Sequence, residues 1–365
     1  MTLQKQLTFW LIALFALIFS LWMLKAILLP FIAGLVLAYF LDPVADKLEE
    51  IGLPRWLASL IILLAAIFAF AIALLLLIPV LGDQIHRFII NLPAMSQSLA
   101  AIFNDAVPDW LRSALLGGQG GLETKIGDIA ARAAGWLATL AASFWSGGMA
   151  VVNMVSLLLI TPIIAYYLLT DWDRIVAKVD DWLPRPQLPV LRGLAKQMDD
   201  AMAGFIRGQG TVCILLGVFY ATGLSLAGLS FGLLVGFTAG LLSFIPYVGS
   251  FIGGLSAIGI ALVQFWPDWP HIALIAGIFF TGQFIEGNFL SPNLVGHRVG
   301  LHPVWLMFAL FAFGYLFGFV GLLLAVPMAA AVGVLCRFAI ARYLASPIYL
   351  GLPEPKSSST KKPRK

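Results

Sequence analysis

Apolar residues in this chain run in blocks too long for the core of a water-soluble domain, and the polar residues between them mark where the blocks begin and end. A helix rises about 1.5 Å per residue, so about 20 apolar residues cross a hydrocarbon layer of about 30 Å. On that measure Thr8 to Phe40 is too long for one crossing, and its interruption by Lys25 and Pro30 predicts a helical hairpin. Trp56 to Leu81 predicts one span, opened by Pro54 and ending near Pro79. Phe144 to Thr170 predicts another, which runs into the charged stretch Asp171 to Arg174. From Gly208 onward the chain is almost wholly apolar, with breaks at Gly228, at Pro246 to Gly249, at Trp266 to His271, around Ser291 to His302 and near Gly318. The pattern predicts an all-α, polytopic helical membrane protein with eight to ten apolar segments, some of them re-entrant.

These blocks divide the chain. Residues 1–81 hold the N-terminal membrane hairpin and a third span, and the first apolar run reads as a retained segment because no small-x-small cleavage site follows it. Residues 82–143 mix charges with apolar positions at helical spacing and predict a partly helical extracytoplasmic domain. After the span at 144–170, residues 171–207 form a cytoplasmic loop with a turn at Pro184 to Pro189. An amphipathic helix follows, with Leu191, Leu194, Ala195, Met198, Met202 and Phe205 on one side, suited to lying along the bilayer surface. Residues 208–342 are the C-terminal membrane domain and 343–365 a basic cytoplasmic tail, read as an orientation signal and not as a nucleic-acid contact.

Composition agrees: 61% of residues are hydrophobic and 11% charged, with a mean hydropathy of +0.97. So few charges cannot cover a protein surface in water, so the expected partner is membrane lipid. If the N-terminus is cytoplasmic and the spans alternate, 17 of the 22 lysines and arginines fall inside. The positive-inside rule then places both termini in the cytoplasm of a bacterial inner membrane.

Catalytic, metal and cofactor chemistry find little here. Cys213 and Cys336 lie far apart in apolar runs, and His86, His271, His297 and His302 lack ligand spacing, so no metal or cofactor is expected. No nucleotide-binding loop or protease motif occurs, which argues against an enzyme and leaves a gradient as the energy source.

Three constellations carry the functional candidates. Gly228, Gly232, Gly236 and Gly240 recur every four residues, a spacing that lets helix backbones approach closely, either for static packing or as a sliding interface. Gly249 with Gly253 and Gly314 with Gly318 repeat it. The turn FIPYVG, Phe244 to Gly249, uses Pro246 and Gly249 to interrupt an apolar run, and its freed carbonyls need protein or water, either along a pathway or at an interface between spans. Glu286 ends an apolar run in TGQFIEGNFLSPN, with Gln283 on the same helical face and Asn288 and Asn293 following. An acid within a span is costly and must face protein or water, so Glu286 is expected to bind substrate or an ion, to pair with Arg298, or to sit at the interface. Asp42 before Pro43 reads as a helix-end residue.

Four segments together resemble the autoinducer-2 exporter family, also labelled PerM-type permeases. They are ILLPFIAGLVLAYFLDPVADKL, ITPIIAYYLLTDWDRI, the run from RGQG through FIPYVG, and the run from EGNFLSPN through VGLHP to GLLLAVP. The order of Gly208 and Gln209, then Pro246, Tyr247 and Gly249, then Glu286, Asn288 and Pro292, then Gly300, His302 and Pro303 carries it. The resemblance implies a multi-pass inner-membrane transporter without an ATPase, forming homo-oligomers and exporting a small polar solute such as autoinducer-2. It also implies, as an alternative, a sodium or lithium/proton antiporter. A passive channel or a scaffold is the remaining class. The expected substrate or ion pathway comprises Glu286, Gln283, Asn288, Gln209, Pro246, Tyr247, Gly249 and Asn293.

Overall fold

The computed structural model describes residues 28–106, 148–295 and 302–350, with single positions between 12 and 24 and at 135. Among the described residues every regular element is helical, and six helices are long and apolar enough to cross a membrane. Alpha-helices satisfy their own backbone groups, as a chain in lipid must.

Helices α1 (Leu28–Glu50), α2 (Arg55–Ala106) and α3 (Gly148–Trp182) form one bundle. Its core is Ala38, Leu41 and Ala45 of α1, Leu63 of α2, and Ala165 and Leu169 of α3. Gly34 lets α1 approach α3: a Cβ there would stand 2.8 Å from the Ile164 side chain.

Two expected helix ends are not ends. The chain remains helical through Asp42 and Pro43 to Glu50, and through Pro79 and Pro93 to Ala106. Proline removes one amide and frees the carbonyl four residues earlier, which breaks a helix only if that oxygen finds no other donor. For Pro43 the freed oxygen is that of Tyr39, and Arg207 Nε donates to it at 2.6 Å. Helix α3 likewise continues past Asp171 to Arg174 as far as Trp182.

A short 3₁₀ turn, Arg185–Gln187, leads into α4, Leu188–Leu226. Arg192 on α4 pairs with Asp180 on α3 through two bonds of 2.7 and 2.6 Å, and this guanidinium holds the Asp180 carboxyl below the usual carboxylate range. The amphipathic stretch expected to lie on the bilayer surface is instead collinear with the following span, in one helix of 39 residues. Only the end of its apolar side is buried, where Phe205 and the adjacent Ile206 pack against Val326, Val36 and Phe244, while Leu191, Leu194, Met198 and Met202 are half-buried and Ala195 is exposed.

The second unit folds back and forth along α4. After α4 the chain closes a Schellman turn, with Leu229 N donating to Leu224 O and Gly228 N to Ser225 O, both at 3.0 Å. Gly228 takes a φ of +75° there. Helix α5 (Gly232–Leu242) then runs antiparallel to α4, the 243–247 turn reverses the chain, and α6 (Val248–Phe265) and α7 (Trp269–Ile285) complete the layer. The core between them includes Val212, Leu216, Tyr220, Val235, Ala239, Ala257, Ile275 and Phe279.

Helix α7 widens at Glu286 into a π-helical segment, Glu286–Val295, so the acid that was expected to end the run begins a looser helix. Helix α8, Pro303–Leu344, is interrupted at Gly318, whose φ of 63° and ψ of −140° are not helical. A Cβ on Gly321 would overlap the Phe313 carbonyl, and Gly314 lies against Leu322. Residues eight apart are about 12 Å apart along a straight helix. The chain therefore doubles back at Gly318.

Candidate functional site

Helix α4 collects the sequence motifs. Gly208 faces the end of the π-helical segment, where a Cβ would stand 2.7 Å from the Leu294 carbonyl carbon. The next residue, Gln209, is buried and donates its amide to Ser243 O at 2.6 Å, the residue that opens the FIPYVG turn. Gly249 closes the same turn against Ser243, where a Cβ would come within 2.6 Å of Ser243 Cα. Adjacent residues of α4 thus fasten the two most distinctive later motifs, one on each side. Gln209 is only two residues past Arg207, so the turn lies about 3 Å along α4 from that charged side chain, near the middle of the helix.

The glycine row divides. Cβ atoms on Gly232, Gly236 and Gly240 would overlap the α4 backbone at Leu224, Ala221 and Gly217 respectively. These three are where α5 lies directly on α4. Gly228 has open space around it, and the left-handed turn, not packing, requires it.

Glu286 belongs to a polar chain inside this unit. Gln283 Nε2 donates to Glu286 Oε2 at 2.9 Å and to the Tyr220 hydroxyl at 3.0 Å. Tyr220 in turn donates to Phe279 O at 3.3 Å, with its ring stacked on Phe279 at 4.9 Å. Tyr220 is 1% exposed, so the chain is anchored on a group that cannot move aside. Gly282 makes room for it: a Cβ there would come within 2.6 Å of the tyrosine ring. Among the described residues no hydrogen bond reaches the second oxygen of the Glu286 carboxyl. Arg298, the expected partner, lies outside the described residues, as does Gly300.

The remaining candidates do not converge on Glu286. Asn288 donates to Phe284 O of its own helix at 2.9 Å and is exposed. Asn293 and Tyr247 are also exposed, and Pro246 is half-buried at the turn. Tyr220 escaped the sequence reading because a tyrosine in an apolar run looks like core. The available signal was its spacing, since eleven residues from Gln209 are three helical turns, which puts both on one face.

A second polar cluster ties the bundles together. Asp42 Oδ1 accepts from Arg55 at 2.7 Å and Asp42 Oδ2 pairs with Arg207 at 3.1 Å. Arg55 also reaches Leu169 O at 2.9 Å and Asp46 at 2.5 Å, and Tyr39 donates its hydroxyl to Asp199 at 2.6 Å. Among the described residues no group of three His, Cys, Asp or Glu side chains could hold a metal ion.

Stacked apolar helices long enough to cross a bilayer define a polytopic helical membrane protein. The chain matches the model of the AI-2E family transporters over residues 9–340 and belongs to that family. It is 30% identical over 317 residues to YrrI of Bacillus subtilis, itself named as a proposed transport protein, covering 86% of each chain. It is 28% identical over 314 residues to YueF of the same organism, also named as a proposed transport protein, covering 85% of this chain and 83% of YueF. With PerM of Escherichia coli K12, named as a proposed permease, it shares 27% identity over 327 residues, covering 84% of this chain and 86% of PerM. The chain is therefore a multi-pass membrane protein of a transporter family.

Proposed function

We propose that this protein is a secondary transporter of the bacterial inner membrane that exports a small polar solute such as autoinducer-2. The observation that carries the reading is the Tyr220, Gln283 and Glu286 chain, which leaves one carboxylate oxygen free of protein donors among the described residues. A hydroxyl, an amide and an acid together suit a small solute rich in hydroxyl groups. Gln209, Pro246, Tyr247 and Gly249 line the approach at the charged end, with Asn288 and Asn293 at its margin. The three packed glycines let α5 move as one piece with α4.

The same reading puts both termini in the cytoplasm, with the charged end of α1 and α4 on that side and residues 82–143 outside, consistent with the distribution of basic residues. Residues 171–207 and 343–365 then face the cytoplasm, and 144–170 and 208–342 form the membrane domain with the hairpin and third span of 1–81. Helix α5 has 11 residues, about 16 Å, and the Pro303 to Phe317 limb of α8 rises about 22 Å, both short of the hydrocarbon thickness of about 30 Å, so both are proposed as re-entrant limbs. Counting such limbs gives the eight to ten segments. Assembly as a homo-oligomer completes the proposal.

Purified protein in proteoliposomes, offered autoinducer-2, amino acids or sodium with and without a pH gradient, tests it. Flux of a neutral polar solute above that of protein-free vesicles is expected. Sodium flux driven by the pH gradient, with no solute flux, would replace the reading with an antiporter.

A further inference from the structure

Beyond the Asp180 to Arg192 pair at the α3 to α4 link, the α1 to α3 bundle and the α4 to α8 unit meet at both ends of the stretch of α4 from Arg207 to Leu226, and the two contacts differ in kind. At the charged end Asp42 pairs with Arg207, Arg207 donates to Tyr39 O, and Tyr39 donates to Asp199. The Phe40 ring closes over Gly210, where a Cβ would stand 3.2 Å away. At the other end Gln84 of α2 accepts from Leu234 N at 2.9 Å, and Phe88 packs edge-on against Phe231 at 5.3 Å. The Glu286 chain lies between them, since Tyr220 is 13 residues, about 20 Å along α4, from Arg207.

We propose that Asp42 is the latch of a clasp at the charged end, and that releasing Arg207 from it opens a water path to the region of Glu286. This rests on the transport reading of Glu286. Three features make the contact releasable. The Asp42 and Arg207 side chains are 33% and 38% exposed, so water screens their attraction. Asp42 is not orphaned when Arg207 leaves, because its other oxygen stays with Arg55. Arg55 in turn is held by Asp46 and Leu169 O, so the bundle side of the clasp keeps its shape. What opening costs is the bond from Arg207 to Tyr39 O, which Pro43 leaves with no helical donor. The Tyr39 to Asp199 bond and the Phe40 ring on Gly210 keep α1 near α4 when Arg207 lets go, so the clasp is sprung toward closure by one backbone oxygen and one screened ion pair at its mobile part and by these two contacts beside it.

Native Cys213 reports the opening. It sits six residues, about 9 Å, beyond Arg207 on α4, on the stretch between Arg207 and Tyr220, and is half-buried. In a Cys336→Ser background, labelling of Cys213 by a membrane-impermeant maleimide is measured in inside-out and right-side-out vesicles. Asp42→Asn and Arg207→Gln should each label severalfold faster than the parent, and only from the side on which Gln187→Cys labels. Asp42→Glu should keep the parent rate. Equal rates in parent, Asp42→Asn and Arg207→Gln overturn the latch, as does faster labelling from both sides. Should Asp42→Asn not assemble, Arg207→Gln carries the test alone. Glu286→Gln in the same assay separates the two readings: normal labelling with lost flux leaves the latch standing, whereas normal flux removes Glu286 without touching the labelling result.

Discussion

Gln209 donates its side-chain amide to the main-chain carbonyl of Ser243 at 2.6 Å, with both residues buried. That bond holds the FIPYVG turn against the middle of α4, and a buried carbonyl without a donor costs about 1 to 3 kcal/mol. Gln209→Leu should therefore lower the thermal midpoint in detergent, while Gln209→Glu, if protonated, restores part of it. A Gln209→Leu protein as stable as the parent would show that the turn is held by something else.

Tyr220→Phe keeps the ring on Phe279 and deletes the hydroxyl that accepts from Gln283. The expected stability loss is about 0.5 to 1.5 kcal/mol, the net worth of a hydrogen bond. Flux should fall by more than that loss explains, because Gln283 is then oriented only by Glu286. Circular-dichroism melting and proteoliposome flux on one preparation check both parts.

Gly236→Leu should separate α5 from α4, because even a Cβ overlaps the Ala221 backbone. A cost of about 3 kcal/mol or more, at the upper end of overpacking, predicts poor assembly on size-exclusion chromatography. Gly228→Ala tests a different mechanism, since its φ of +75° and open surroundings make the penalty one of backbone strain alone. Leu323→Ile, volume-conserving and half-buried, should be mild.

Orientation is checked by single cysteines. Ser230→Cys, exposed at the α4 to α5 turn, should label from outside intact cells, and Gln187→Cys, exposed at the opposite end of α4, should label only in inside-out vesicles. The reverse pattern would invert the topology.

The turns of the second unit were legible because their residues act locally. Gly228, Pro246 to Gly249 and Trp266 to His271 all mark places where the chain does reverse, since a left-handed glycine or a proline after a short run leaves few alternatives. Pro43 and Pro79 misled for the opposite reason. Whether a proline ends a helix depends on who supplies the missing donor, and for Pro43 that is Arg207, 164 residues later. The same distance hid the clasp, because Asp42 has no local sign that Arg55 and Arg207 will share it. At the candidate site Glu286 and Gln283 were readable from three-residue spacing on one helix, and the structure joins them. Asn288, within the π-helical segment that begins at Glu286, was expected beside them and instead bonds Phe284 O four residues earlier.

Flux through Glu286→Gln protein is the most direct measurement of the central claim. The change is nearly isosteric, and glutamine at 286 still offers an oxygen to the Gln283 amide, so the protein should insert, melt and elute like the parent. Removing the carboxyl group that the solute would meet should cut flux about tenfold, the scale of one lost hydrogen bond of about 1.4 kcal/mol. Flux equal to the parent, in well-folded Glu286→Gln protein at matched density in the vesicles, would contradict the claim.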